Sequence, residues 1–129
     1  MIYTGIDIIE INRIAAVADR YPKRFLEKVY TKGEQAYCRG RPPQLASRFA
    51  AKEAVMKALG TGVRGVAWKE VEVTRQRGQA PEITLHGRAL KRAQKMGITR
   101  MALSLSHSRE FAVASVVAEA NDHPGSTST

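Results

Sequence analysis

A chain of 129 residues with 43% hydrophobic content has room for one domain with a real core, and nothing in that composition suggests wholesale disorder. The single cysteine, Cys38, excludes an internal disulfide, no apolar run approaches the roughly 20 residues of a membrane span, and MIYTGIDIIEINRI lacks the pattern of a signal peptide, so a mature cytoplasmic protein is expected. A net charge of +9 attracts anions, whether nucleic acid, acidic proteins or phosphorylated small molecules, although the 6% of aromatic residues are not interleaved with the basic ones as a single-strand-binding platform would require.

Residues 2–9 (IYTGIDII) are apolar and β-branched and read as a buried strand, with Asp7 a carboxylate that needs a partner or a cation. From Glu10 the period changes: Ile11, Ile14, Ala15 and Ala18 share one helical face, with Arg13 and Arg20 elsewhere on the surface. Pro22 ends that helix and can start a short one carrying Lys23, Arg24, Phe25 and Lys28. Thr31-Lys-Gly-Glu34 has the spacing of a capping box and predicts a further helix through about Cys38. After the loop Arg39–Pro43 comes the longest helix, about Gln44–Leu59, rich in alanine and stopped by Gly60.

A glycine-rich loop over 60–65 leads to a strand around Val71 and Val73, which a turn over Arg77–Pro81 joins to a partner at Ile83–Leu85. Residues 88–96 (RALKRAQKM) form a basic amphipathic helix closed by Gly97. Met101, Leu103 and Leu105 alternate on a strand, Ser106–Glu110 is a tight connection, and Phe111–Ala118 is a last apolar strand. The mixture of helices and hairpins reads as α+β, a single domain over residues 1–119 followed by a polar, disordered tail over 120–129.

Three segments could carry chemistry. On the longest helix Glu53 and Lys57 share one face and Arg48 and Lys52 the neighbouring stripe, which describes either an exposed helix with ordinary i,i+4 pairs or, given the surrounding alanines, a partly enclosed charged face. That helix runs into Gly60-Thr61-Gly62, whose backbone N–H groups could approach a phosphate. Asp7 and Glu53 together would suit Mg²⁺, a hard cation that takes one or two carboxylates plus phosphate oxygens and water. Ser106-His107-Ser108 could bind phosphate, form a nucleophile–base pair or cap a turn, and a Ser–His hydrolase is set aside because the G-x-S-x-G elbow is missing.

Gly5-Ile-Asp7-Ile-Ile-Glu-Ile-Asn-Arg13-Ile, Arg48-Phe-Ala-Ala-Lys-Glu53-Ala-Val-Met-Lys57-Ala-Leu-Gly-Thr-Gly62 and Leu103-Ser-Leu-Ser-His107-Ser108 resemble, in order and spacing, the holo-acyl carrier protein synthases, which are small 4′-phosphopantetheinyl transferases. The resemblance spans roughly residues 1–119, and Asn12 departs from the charged residue of many relatives. It implies the phosphopantetheinyl transferase fold, an antiparallel sheet packed with a long central helix. It further implies that Asp7 and Glu53 hold Mg²⁺ against the pyrophosphate of coenzyme A, with Glu53 or a water on Asp7 taking the proton of a carrier-protein serine. Lys57 would stabilise or protonate the leaving phosphate, and Arg48, Thr61, Gly62 and His107 would contact the nucleotide. An acidic acyl carrier protein of fatty acid biosynthesis would dock on the region of Arg13, Arg20, Lys23, Arg24 and Phe25, and the assembly would be a homotrimer with active sites between subunits. Two other classes compete: a small nucleic-acid-binding protein, which leaves Asp7 and Glu53 without a purpose, and a catalytically silent subunit of the same fold.

Overall fold

The computed structural model describes residues 1–121, so the tail expected over 120–129 lies outside the described residues from position 122 onward. Its centre is a three-stranded antiparallel sheet of β1 (Ile2–Glu10), β5 (Phe111–Ala120) and β4 (Ile98–His107), in the order β1-β5-β4. One helix, α4 (Pro42–Leu59), lies across its inner face, with α1 (Ile11–Arg20), α2 (Pro22–Val29) and α3 (Lys32–Cys38) on one flank. The fold is completed by a two-stranded ribbon, β2 (Val71–Thr74) with β3 (Glu82–Leu85), whose β2 packs against α3 and α4, and by helix α5 (Gly87–Met96). Among the described residues no helix is long and apolar enough to cross a membrane.

Helix α4 is buried on almost every side, and from Ala50 to Leu59 only Glu53 and Lys57 escape burial. Its alanines (Ala46, Ala50, Ala51, Ala54, Ala58) are what allow that depth, because the backbone can then approach the sheet closely. Contact is closest at Gly5 of β1, where a Cβ would overlap the Ala54 carbonyl and lie 3.0 Å from the Ala58 backbone nitrogen. At its C-terminus Gly60 takes the left-handed conformation (φ 70°) that closes the helix. At the other end α4 starts at Pro42, two residues earlier than expected, because both prolines sit in the first turn where no N–H is needed.

Three expectations are corrected. The strand at 2–9 is buried on one face only: Ile2, Ile6 and Ile8 are each more than 60% exposed, since among the described residues no layer lies against the sheet's outer face. Ser106 and His107 belong to β4, pairing with Val113 and Ala112, so the connection shrinks to Ser108–Glu110. There Ser108 caps the turn, its Oγ accepting from the N–H groups of Glu110 (3.3 Å) and Phe111 (3.1 Å). The reading of α4 as an exposed helix with i,i+4 ion pairs fails, because its lysines reach other elements.

Lys52 is the clearest case. Its Nζ is fully buried and donates to Glu34 Oε1 (2.8 Å), to the Trp68 carbonyl (3.1 Å) and to the Val71 carbonyl. Burial pushes the ammonium pKa below its usual value, and the charge of Glu34 opposes that shift. Glu34 in turn accepts from the N–H of Thr31, completing the capping box foreseen for α3, and from the N–H of Val73. One ion pair thus ties α3, α4 and the ribbon together.

Candidate active site

Asp7 projects from β1 toward α4, between the outward-facing Ile6 and Ile8, and meets Lys57, whose Nζ donates to Asp7 Oδ1 (3.1 Å) and to the Ile6 carbonyl (2.9 Å). Glu53, one turn earlier on α4, lines the same cleft of about 670 Å³ as Asp7 and Lys57. Burial, and then the charge of Asp7, raise the Glu53 carboxyl above the ordinary carboxylate range, while Lys57 works the other way. Two carboxylates sharing one cleft, beside an ammonium and open to solvent, are a place for a cation and for phosphate. The fold brings Asp7 and Glu53 together because β1 and α4 pack through Gly5, two residues before Asp7, and Ala54, the residue after Glu53.

Arg13 and Phe25 also line the cleft, so α1 and α2 extend it outward from the carboxylates. Arg20, Lys23 and Arg24 stay exposed beside it and do not line it. Phe49 forms part of its wall, stacked on Trp68 with ring centroids 4.8 Å apart. Neither aromatic was singled out from the sequence, where nothing distinguishes a wall residue from ordinary core.

Arg48 and His107 meet elsewhere, in a second cavity of about 290 Å³ whose lining includes Tyr37 and Arg75. Arg48 is only 5% exposed and, among the described residues, forms no ion pair; its guanidinium lies 4.3 Å from the centroid of the Tyr37 ring. A buried guanidinium without a carboxylate, beside Arg75 and a histidine, is chemistry for an anion. Tyr37 and Arg75 carry no sequence signal, since α3 and the β2–β3 turn meet only in the fold. Thr61 and Gly62 line neither cavity. Thr61 Oγ1 is buried without a hydrogen-bond partner among the described residues, and Gly62 is exposed at the end of α4.

Cys38 is fully buried, lines neither cavity, and its thiol is pushed up to about 11, by burial first of all. Among the described residues no three His, Cys, Asp or Glu side chains gather as a metal cluster. The Asp7–Glu53 pair remains, and it fits Mg²⁺ better than a soft or borderline metal.

Fold and cleft together define an α+β protein that brings a carboxylate pair, an ammonium and a separate cationic cavity to a sheet-and-helix junction. The family model of the 4′-phosphopantetheinyl transferase superfamily matches residues 3–116. The holo-[acyl-carrier-protein] synthase of Koribacter versatilis is 48% identical over 120 residues, covering 90% of this chain and 96% of the relative. That of Dehalococcoides mccartyi strain 195 is 47% identical over 119 residues, covering 92% and 99%. Among solved structures, the Helicobacter pylori holo-[acyl-carrier-protein] synthase in complex with coenzyme A superposes with a TM-score of 0.82 at 32% identity, covering 90% of this chain and 99% of that one. The chain belongs to the 4′-phosphopantetheinyl transferase superfamily and, within it, to the holo-[acyl-carrier-protein] synthase family.

Proposed function

We propose that this protein transfers 4′-phosphopantetheine from coenzyme A to a serine of an acidic apo acyl carrier protein, releasing 3′,5′-ADP, with Mg²⁺ as cofactor, in the cytoplasm and in the service of fatty acid biosynthesis. The observation that carries the reading is the convergence of Asp7, Glu53 and Lys57 in one cleft that also reaches Arg13 and Phe25. It is supported by the names of the relatives and by coenzyme A in the Helicobacter pylori structure.

In this mechanism the serine Oγ attacks the β-phosphorus; the Oγ–P bond forms as the P–O bond to 3′,5′-ADP breaks. Asp7 and Glu53 would hold Mg²⁺, which when bound draws charge from the pyrophosphate. Glu53, or a water held by Asp7, takes the serine proton. Lys57, half-exposed at the cleft, meets the charge that grows on the departing phosphate. Arg48 and His107 hold an anionic part of the nucleotide in the second cavity, and Thr61 and Gly62 approach it from the end of α4. Phe25 anchors the carrier protein while Arg13, Arg20, Lys23 and Arg24 raise the rate of encounter with its acidic surface.

The assembly in this reading is a homotrimer with active sites between subunits, each built on a catalytic domain of residues 1–119. It is supported by the bare outer face of the sheet, where Ile2, Ile6, Ile8, Phe111 and Val117 are all exposed. Asp7 lies in the strand that presents three of those side chains, so a neighbour covering them would border the cleft.

Intact-mass spectrometry of an apo acyl carrier protein incubated with the protein, coenzyme A and Mg²⁺ tests the reaction. A mass gain of one phosphopantetheine, abolished by EDTA and by Glu53→Gln, is expected. A well-folded protein that modifies no fatty-acid or polyketide carrier would remove the transferase reading, and Glu53→Gln transferring at the parent rate would remove the role of Glu53.

A further inference from the structure

Lys57 has a side chain that is 53% exposed, yet its ammonium turns back into the protein to Asp7 Oδ1 and the Ile6 carbonyl. Asp7, by contrast, is only 17% exposed, and the Lys57 ammonium is the cation paired with it. Glu53 lines the same cleft and, among the described residues, has no ion-pair partner. The ammonium therefore stands at one of the two carboxylates that would hold a divalent cation.

We propose that Lys57 is the resident counter-ion of the ligand-free site, and that a divalent cation entering the cleft displaces its ammonium from Asp7, so that loading the cation and releasing Lys57 toward the substrate phosphates are a single event. The inference rests on the reading of Asp7 and Glu53 as the cation's ligands.

The physical reason is competition for one carboxylate. A dication within coordination distance of Asp7 and an ammonium within hydrogen-bond distance of the same carboxylate repel each other strongly in a half-buried site. The four-carbon stem of lysine, half in solvent here, lets the ammonium leave without disturbing the helix. Because the ammonium also gives up its bond to the Ile6 carbonyl, the displacement costs the cation part of its intrinsic affinity. The empty protein thereby keeps Asp7 satisfied, and the lysine becomes available only when the cation is present to share the charge of the substrate.

The test uses Mn²⁺ alone as the probe, with free Mn²⁺ counted by electron paramagnetic resonance in the absence of coenzyme A and carrier protein. Removing the ammonium in Lys57→Met should tighten Mn²⁺ binding about five- to tenfold, the scale of one partly exposed ion pair plus the lost repulsion. Lys57→Arg keeps the charge and should bind within about twofold of the parent. If Lys57 instead merely orients Asp7, Lys57→Met will bind Mn²⁺ more weakly; that result, or an unchanged affinity, overturns the proposal while leaving the cation site standing. Absence of Mn²⁺ binding in both parent and Lys57→Met removes the proposal and the metal reading together. In the unmutated protein the isotope-labelled Lys57 Cε resonance should move toward its solvated position as Mg²⁺ is added, and a resonance unmoved by Mg²⁺ at saturation would equally overturn it.

Discussion

Replacing Lys52 with methionine isolates what the buried ion pair does for the fold. Methionine fills most of the lysine's volume, so the loss is electrostatic and not a large cavity. Three hydrogen bonds go, to Glu34 Oε1 and to the carbonyls of Trp68 and Val71, and Glu34, with a side chain 0% exposed, loses its cation. Removing one partner of a buried pair costs about 3–5 kcal/mol, because the other charge is left without compensation. Against a total stability on the order of 5–15 kcal/mol, that is a large share. For a chain of this length it corresponds to a melting temperature lower by roughly 11–18 °C. Thermal and urea melts followed by circular dichroism would measure it, with Arg100→Ala as the control. The Arg100–Glu119 pair has side chains 83% and 57% exposed, and its loss should cost no more than about 0.5 kcal/mol. A Lys52→Met melt within about 2 °C of the parent would refute the reasoning, since it would mean that the N–H groups of Thr31 and Val73 satisfy Glu34 by themselves.

Gly5→Ala should destabilise by more than about 3 kcal/mol in a urea titration, because the added methyl meets the backbone of Ala54 and Ala58, which cannot step aside as a side chain could. Arg48→Ala should raise the KM for coenzyme A by roughly tenfold or more while changing kcat less, as expected for an anion contact in a cavity apart from the carboxylates; a fall in kcat alone would place Arg48 with the reacting atoms. Reversing charge at Arg13 and Arg24 should slow association with an acidic carrier protein and flatten its dependence on salt, as read by stopped-flow, without altering coenzyme A binding. The pH dependence of stability should carry a signature of Glu72. Burial would raise this carboxyl, but hydrogen bonds from His86 and Thr31 outweigh it and hold it below its ordinary value of 4.5. A group depressed in the folded state stabilises fully above its unfolded value, and that contribution fades as pH falls through the folded one. Urea midpoints of Glu72→Gln should therefore fall less than those of the parent between about pH 5 and pH 3.

Much of this protein is written locally. The capping box at Thr31–Glu34, the proline that opens α2, the glycines that close α4 and α5, and the alternation of Met101, Leu103 and Leu105 in β4 each act within a few residues, and each is found where the sequence places it. The segment from Arg48 to Gly62, with the flanking motifs at Asp7 and His107, carries the resemblance to the family, and the family model matches residues 3–116 around it. What stayed hidden depends on residues distant in the chain. Lys52 and Lys57 look alike on the sequence, five positions apart on one helix, yet one is fully buried against Glu34 and the other half-exposed against Asp7. Arg48 is assigned to the nucleotide by resemblance, but that it meets His107, Tyr37 and Arg75 in a cavity separate from Glu53 is settled by packing. Pattern and capping are short-range, so the sequence alone determined the elements and their family. Which charge is enclosed, and by what, depends on how closely α4 settles on β1 through Gly5 and Ala54, a long-range contact that only the tertiary structure decides.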